Sequence, residues 1–309
     1  MENRERLRGL IAATFTPMKP DGNINYDEIA VYADMIAQAP IEGVFVNGTT
    51  AEFASLTVEE RKLIFERWVK EARGRFKVIC HVGATCQRDC MALAEHAAEN
   101  GAYAVGAIAP FFFKPSTVND LIKFFAPVAE AAGNLPFYYY NMPSMSGVNL
   151  PVDKFLEEGR KVMPNLAGTK FTHNNLMEMG ACIALDNGSF EVLHGYDEIL
   201  ISGIAMGAIA GIGSTYNYIP EVYDGIFRLM AEDNVAEARK LQQISIKVVE
   251  VLIKHGGGVR CGKAILRLIG LDMGQCRAPI TEVSEAEYEE IKKELKQIGI
   301  KIGTGEMIL

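Results

Sequence analysis

Residues 137–171 read FYYYNMPSMSGVNLPVDKFLEEGRKVMPNLAGTKF. The stretch opens on an apolar run, Phe137–Asn141, and closes on another, Ala167–Phe171, both of strand length. Between them lies a longer segment of helical period, so the whole reads as a βαβ unit with its two strands parallel in one sheet. The same alternation continues in both directions. Further strand candidates are Leu10–Thr16, Gly43–Asn47, Lys77–Val82, Tyr103–Ala109, Glu191–His194 and Ala208–Gly213. Capping side chains ahead of an apolar stripe mark helix starts at Asn25 with Glu28, Thr57 with Glu60 and Thr117 with Asp120. Gly101 and Gly133 supply the stops.

Eight strand-plus-helix units in residues 1–230 predict an α/β fold of the (β/α)8 TIM-barrel kind, whose usual length is about 250 residues. Residues 231–309 are expected to form additional C-terminal helices packed on the barrel. They read as three helices between Asn234 and about Ile298, the last opened by Ser284 with Glu287, and no Pro/Gly/Ser-rich linker precedes them. A doubly wound open sheet is the structural rival, but Ala13, Thr14 and Phe15 stand where a dinucleotide site needs its glycines. Gly257, Gly262 and Lys263 have phosphate-loop spacing, yet Ala264 replaces the magnesium-binding hydroxyl and a helix rather than a strand precedes them.

Lys plus Arg at 31 against Asp plus Glu at 39 gives a net charge of −8, which argues against a nucleic-acid partner because phosphate backbones need a basic face. The six cysteines form no C-x-x-C pair or zinc spacing, as expected of a reducing, cytoplasmic setting. The longest apolar run, Ile199 to Gly213, carries Ser202 and several glycines. It falls short of the roughly 20 residues that a membrane span needs.

In such a barrel the chemistry comes from the carboxyl ends of the strands and the loops after them. The sixth strand delivers Lys170 among small and apolar residues, where loss of solvation lowers an amine's pKa and favours carbonyl attack; a lysine snorkelling to the mouth or paired with a carboxylate is the plainer alternative. The fifth ends on Tyr138, Tyr139 and Tyr140, of which at least one must face inward and could pass a proton. After the second, Asn47-Gly48-Thr49-Thr50-Ala51-Glu52 offers backbone N–H groups and two hydroxyls to a carboxylate or phosphate, or is an ordinary capped turn. After the seventh, Gly195-Tyr196-Asp197-Glu198 places two acids where they could bind a polyol or merely suit a helix dipole. His81, His173 and His194 with Asp197 or Glu198 offer a competing metal chemistry, but they lie on separate units without ligand spacing.

Together these motifs resemble the pyruvate-dependent class I aldolases of the N-acetylneuraminate lyase and dihydrodipicolinate synthase superfamily over nearly the whole chain. The carriers are Gly48-Thr49-Thr50-Ala51-Glu52, Tyr140-Asn141-Met142-Pro143, Gly168-Thr169-Lys170 and Gly213-Ser214-Thr215. The lyase branch is the nearer match, through Gly195-Tyr196-Asp197-Glu198 and Gly211-Ile212-Gly213-Ser214-Thr215-Tyr216-Asn217. The synthase branch expects an arginine where Ser144-Met145-Ser146 stand and a tyrosine where Phe111-Phe112-Phe113 stand. Ala51 departs from the glycine usual in both branches, and would be strained if its φ were positive.

The resemblance implies an imine-forming Lys170 and a proton-transferring Tyr140. It implies that Thr49 and Thr50 hold the pyruvyl carboxylate, while Thr172, Gly195, Asp197, Glu198 and Ser214 bind the sugar-derived chain. Its substrates would be pyruvate, N-acetylmannosamine and N-acetylneuraminate, with no metal or organic cofactor, in a cytoplasmic homotetramer. A dihydrodipicolinate synthase-like enzyme and, behind it, a metal-dependent barrel aldolase are the alternatives.

Overall fold

The computed structural model describes residues 5–302 and 307–308, with side chains through 300. Eight strands, β1 (Gly9–Ala13), β2 (Gly43–Val46), β3 (Lys77–His81), β4 (Ala104–Ile108), β5 (Phe137–Asn141), β6 (Leu166–Phe171), β7 (Glu191–His194) and β8 (Ala210–Gly213), close into one barrel. Every neighbouring pair is parallel, and β8 returns to β1. All eight strands expected from the sequence are present, with ends trimmed: Thr14–Thr16 lie beyond β1, and β8 begins at Ala210 rather than Ala208.

The helices are α1 (Glu28–Gln38), α2 (Val58–Ala72), α3 (Gln87–Glu99), α4 (Val118–Ala131), α5 (Pro143–Ser146), α6 (Val152–Gly159), α7 (Leu176–Ala184), α8 (Leu200–Ala205) and α9 (Pro220–Ala231). After these come α10 (Val235–Lys254), α11 (Gly258–Leu268) and α12 (Glu285–Ile298). Thr57, Thr117 and Ser284 each close a reciprocal capping box, and Gly101 and Gly133 take positive φ just past α3 and α4. Asn25 is the exception. The cap of α1 is Asp27, whose side chain makes no capping bond; Asn25 instead donates its backbone N–H to the Pro17 carbonyl.

Two apolar layers follow from the strand period. Outward side chains such as Val44, Val105, Tyr139 and Phe171 join Trp68, Phe125 and Phe155 of the helices. Val248, Leu252, Ile265 and Leu295 of α10–α12 lie in that same cluster, so the C-terminal helices share the barrel's outer core. Inward side chains, among them Ile11, Phe45, Ile79, Ile108, Tyr138, Tyr140, Leu193 and Ile212, fill the barrel itself. Among the described residues no helix is long and apolar enough to cross a membrane.

Candidate active site

Register determines which groups reach the barrel mouth. Ile108, Tyr140, Lys170 and Leu193 are successive partners across β4, β5, β6 and β7. Because Ile108, Tyr140 and Leu193 all face inward, Lys170 does too. A register shift between Phe137 and Tyr138 precedes this row, pairing Phe137 with Leu166 but Tyr138 with Gly168 and leaving Ala167 as the extra residue. Gly168 is obligatory there, since a Cβ would fall 1.9 Å from the Glu191 carbonyl oxygen of β7.

Lys170 is 5% exposed, and its ammonium nitrogen lies 4.2 Å from the Tyr140 ring centre and 4.6 Å from that of Phe45. Burial brings its pKa down to about 7, against a smaller opposing pull from the Asp197 charge. An amine so placed is substantially neutral at physiological pH, the form a nucleophile needs. Burial likewise pushes the Tyr140 phenol up to about 12, so it holds its proton. Its hydroxyl lies 3.2 Å from Thr49 Oγ1 and donates to Met142 Sδ at 3.0 Å. Of the three consecutive tyrosines, Tyr138 and Tyr140 face inward and Tyr139 packs outward against Phe155.

The loop after β2 is a tight turn. Its internal bonds use the N–H groups of Ala51, Glu52 and Phe53, donated to Gly48, Thr49 and Gly48 respectively; none uses those of Thr49 or Thr50. Ala51 has an ordinary dihedral, so its replacement of glycine carries no backbone strain. The left-handed positions are Asn47 (φ 61°) and Glu52 (φ 60°); asparagine tolerates this region, whereas at Glu52 it costs about 1–2 kcal/mol.

Opposite this loop, Thr172 and Asp197 present buried oxygens: neither Thr172 Oγ1 nor Asp197 Oδ1 makes a close hydrogen bond among the described residues, their polar neighbours being the Tyr140 hydroxyl for Thr172 and the Ser214 N–H for Asp197. Two glycines make room for them. A Cβ on Gly195 would fall 1.9 Å from Thr172 Oγ1, and one on Gly213 would fall 1.9 Å from Asp197 Oδ1. Asp197 opens a short 3₁₀ turn (Asp197–Ile199) before α8, and is clamped by tertiary contacts. Its Oδ2 accepts from the Thr215 N–H (3.0 Å) and hydroxyl (2.6 Å), and its carbonyl accepts from Gln242 and Ser245 of α10, both at 3.1 Å. Burial raises the pKa of Asp197 against those bonds, and raises that of the half-buried Glu198. Ser214, half-buried, begins the turn after β8, and Asn217 donates back to its carbonyl at 2.7 Å.

Two of the histidines, His81 and His194, are fully buried. The ring of His81 donates from Nδ1 to the Asn47 carbonyl at 2.8 Å and accepts at Nε2 from the Ile108 N–H at 3.3 Å; burial and the Arg61 charge keep it neutral. His194 follows the inward Leu193 and packs on α8, where a Cβ on Gly203 would meet its ring at 2.5 Å. Among the described residues the one cluster with metal-ligating composition is His255, Glu290 and Glu294, just past the end of α10 and on α12 rather than at a strand end.

Thr215, Gln242 and Ser245, which fix Asp197, and the partner of Glu52 are set by contacts in space rather than by spacing in the chain. Thr215 has a local signal, the Gly213-Ser214-Thr215 motif; the α10 contacts have none.

A closed parallel barrel carrying a desolvated lysine beside a tyrosine at its mouth is the scaffold of a lysine-dependent aldolase. The chain belongs to the dihydrodipicolinate synthetase family, whose model matches residues 6–298. It is 39% identical to the N-acetylneuraminate lyase of Gallus gallus over 302 residues, covering 96% of this chain and 98% of that protein. The N-acetylneuraminate lyase of Proteus mirabilis superimposes with a TM-score of 0.92 at 35% identity, covering 95% of this chain and 99% of that one. A catalytic-lysine variant of the sialic acid aldolase of Ruminococcus gnavus superimposes at 0.90 with 28% identity, covering 94% and 95%.

Proposed function

We propose that the protein is an N-acetylneuraminate lyase, cleaving N-acetylneuraminate reversibly to pyruvate and N-acetylmannosamine through an imine on Lys170. The observation that carries this reading is Lys170 itself, buried against two aromatic rings, held near neutrality and in register with Tyr140. The similarity to N-acetylneuraminate lyases over 96% of the chain supports the substrate.

The neutral Lys170 amine attacks C2 of the open-chain keto acid, and loss of water gives an iminium. The C3–C4 electron pair flows into that sink as the C4 hydroxyl loses its proton, releasing the aldehyde and leaving an enamine. Protonation at C3 and hydrolysis yield pyruvate and free Lys170. A phenol pushed up to about 12 is a poor standing base, so Tyr140 works as a relay: its oxygen takes the C4 proton while its own proton passes to the substrate carboxylate. That carboxylate sits on the N–H groups and hydroxyls of Thr49 and Thr50, and the 3.2 Å contact of Thr49 with Tyr140 joins the two functions. Thr172, Gly195, Asp197, Glu198 and Ser214 receive the sugar chain. The buried oxygens of Thr172 and Asp197 have hydrogen-bonding capacity to spare until hydroxyls reach them, so short aldehydes are expected to be poor partners. No metal or organic cofactor enters the scheme.

We further propose a cytoplasmic homotetramer. Phe112 and Phe113 on the loop after β4 are 76% and 86% exposed, faces that a neighbouring subunit would cover; light scattering tests the assembly.

The deciding experiment is pyruvate release from N-acetylneuraminate, with a chelator control and Lys170→Arg alongside. Release that survives the chelator and vanishes in the variant is expected. Release abolished by the chelator would overturn the mechanism, and no release from the unmodified enzyme would overturn the substrate.

A further inference from the structure

The turn that carries Thr49 and Thr50 is held from behind by the C-terminal helices. Glu52 closes that turn in a left-handed conformation, its N–H donating to the Thr49 carbonyl at 3.0 Å. Its side chain enters a buried ion pair, with Lys263 Nζ of α11 2.7 Å from Oε1 and both side chains at most 3% exposed. The backbone N–H of Arg277 donates to Oε2 at 2.8 Å. Lys263 is fixed in turn by the Gln275 carbonyl at 2.8 Å. Alongside it Gly262 presses against Phe15, where a Cβ would fall 2.4 Å from the ring. The Thr16 hydroxyl adds a further tie, donating to the Ala51 carbonyl at 2.8 Å. A non-glycine residue persists in the left-handed region only where its surroundings over-determine it. Here the over-determination comes largely from a segment more than 200 residues downstream, as the 225-residue separation of Arg277 from Glu52 states.

We propose that Lys263 is a positioning residue for the carboxylate cradle: by anchoring Glu52 it holds the N–H groups and hydroxyls of Thr49 and Thr50 in the arrangement that binds the pyruvyl carboxylate. Lys263 touches no substrate and acts through Glu52. The inference rests on the imine reading above, and assigns the C-terminal helices a part in substrate affinity besides their part in the core.

The test is the pyruvate-concentration dependence of borohydride trapping, comparing the unmodified protein with Lys263→Met and Lys263→Arg. For Lys263→Met the half-saturating pyruvate is expected to rise on the order of tenfold to a hundredfold, with trapping at saturation retained. Lys263→Arg, which keeps the cation, is expected to recover most of that loss. A merely structural role would lower the trapped fraction at saturation and leave half-saturation unchanged, which would overturn the proposal. Should Lys263→Met fail to fold, the charge-balanced double variant Glu52→Gln/Lys263→Met is read in the same way: a raised half-saturation supports the anchor and an unchanged one overturns it. Absence of trapping in the unmodified protein would instead overturn the imine reading itself.

Discussion

Lys170 and Lys263 are almost equally buried, at 5% and 4% exposed, yet the structure uses them oppositely. Lys263 has a carboxylate 2.7 Å away and a carbonyl at 2.8 Å, so its charge is matched where it lies. Around Lys170 stand the rings of Tyr140 and Phe45, with Asp197 acting on it only as the smaller influence against burial. Both lysines lie in glycine-marked stretches, Gly168-Thr169-Lys170 and Gly262-Lys263, and in both the glycine admits a close neighbour, strand β7 in one and Phe15 in the other. Burial alone therefore does not make a lysine reactive; what matters is whether a counter-charge accompanies it into the interior.

The largest expected effect breaks the reactive member of the pair. Lys170→Arg should abolish borohydride trapping with pyruvate and lower turnover by at least about a thousandfold, because a guanidinium forms no imine; an adduct retained in the mass spectrum would move the nucleophile elsewhere. Tyr140→Phe should keep the adduct while carbon–carbon cleavage falls roughly 100- to 10,000-fold. Unchanged turnover there would transfer the proton to another group.

Stability then separates the two lysines by sign. Removing Lys263 as Lys263→Met strands the buried Glu52 carboxylate and should cost about 3–5 kcal/mol in urea unfolding. Removing Lys170 as Lys170→Met takes away an unpaired buried amine and should leave the protein as stable or roughly 1–2 kcal/mol more so. Equal losses in the two variants would show that the two sites do not differ as described.

The pH dependence sharpens the same contrast. Trapping by the unmodified protein should rise as pH increases through about 7, where Lys170 becomes neutral, and then level off. Between about 7 and the ordinary lysine value the unfolded chain binds a proton at this position that the folded chain does not. Folding stability should therefore rise with pH across that window, a contribution that Lys170→Met should lack. A trapping profile with its midpoint near the ordinary lysine value would contradict the desolvation of Lys170. The smallest effect is expected for Thr49→Val, which deletes the hydroxyl facing Tyr140 but leaves the backbone cradle: half-saturating pyruvate should rise about threefold to tenfold.

Much of the fold was legible because its signals are local. Short apolar runs, helical periods, the capping boxes at Thr57, Thr117 and Ser284 and the stops at Gly101 and Gly133 each depend on residues a few positions apart. Asn25 misled because two capping-type residues, Asn25 and Asp27, precede α1 and spacing does not rank them. Which tyrosines of Tyr138–Tyr140 face inward could not be read, since alternation fixes their relation but not their phase, and the phase was set by the shift in register at Ala167. Alanine at position 51 is unstrained because the left-handed position is one residue later, at Glu52.

By itself the sequence determined the alternation that closes a parallel barrel, the strand ends that carry Lys170, Tyr140, Thr49, Thr50, Thr172 and Asp197, and the family those motifs resemble. Tertiary structure alone decided which buried lysine meets a carboxylate, which oxygens of Thr172 and Asp197 keep hydrogen-bonding capacity to spare, and how α10 and α11 brace Asp197 and Glu52. The physical reason is that desolvation and charge pairing are properties of a residue's neighbours in space. Those neighbours lie up to 225 residues away along the chain, where no periodicity or spacing records them.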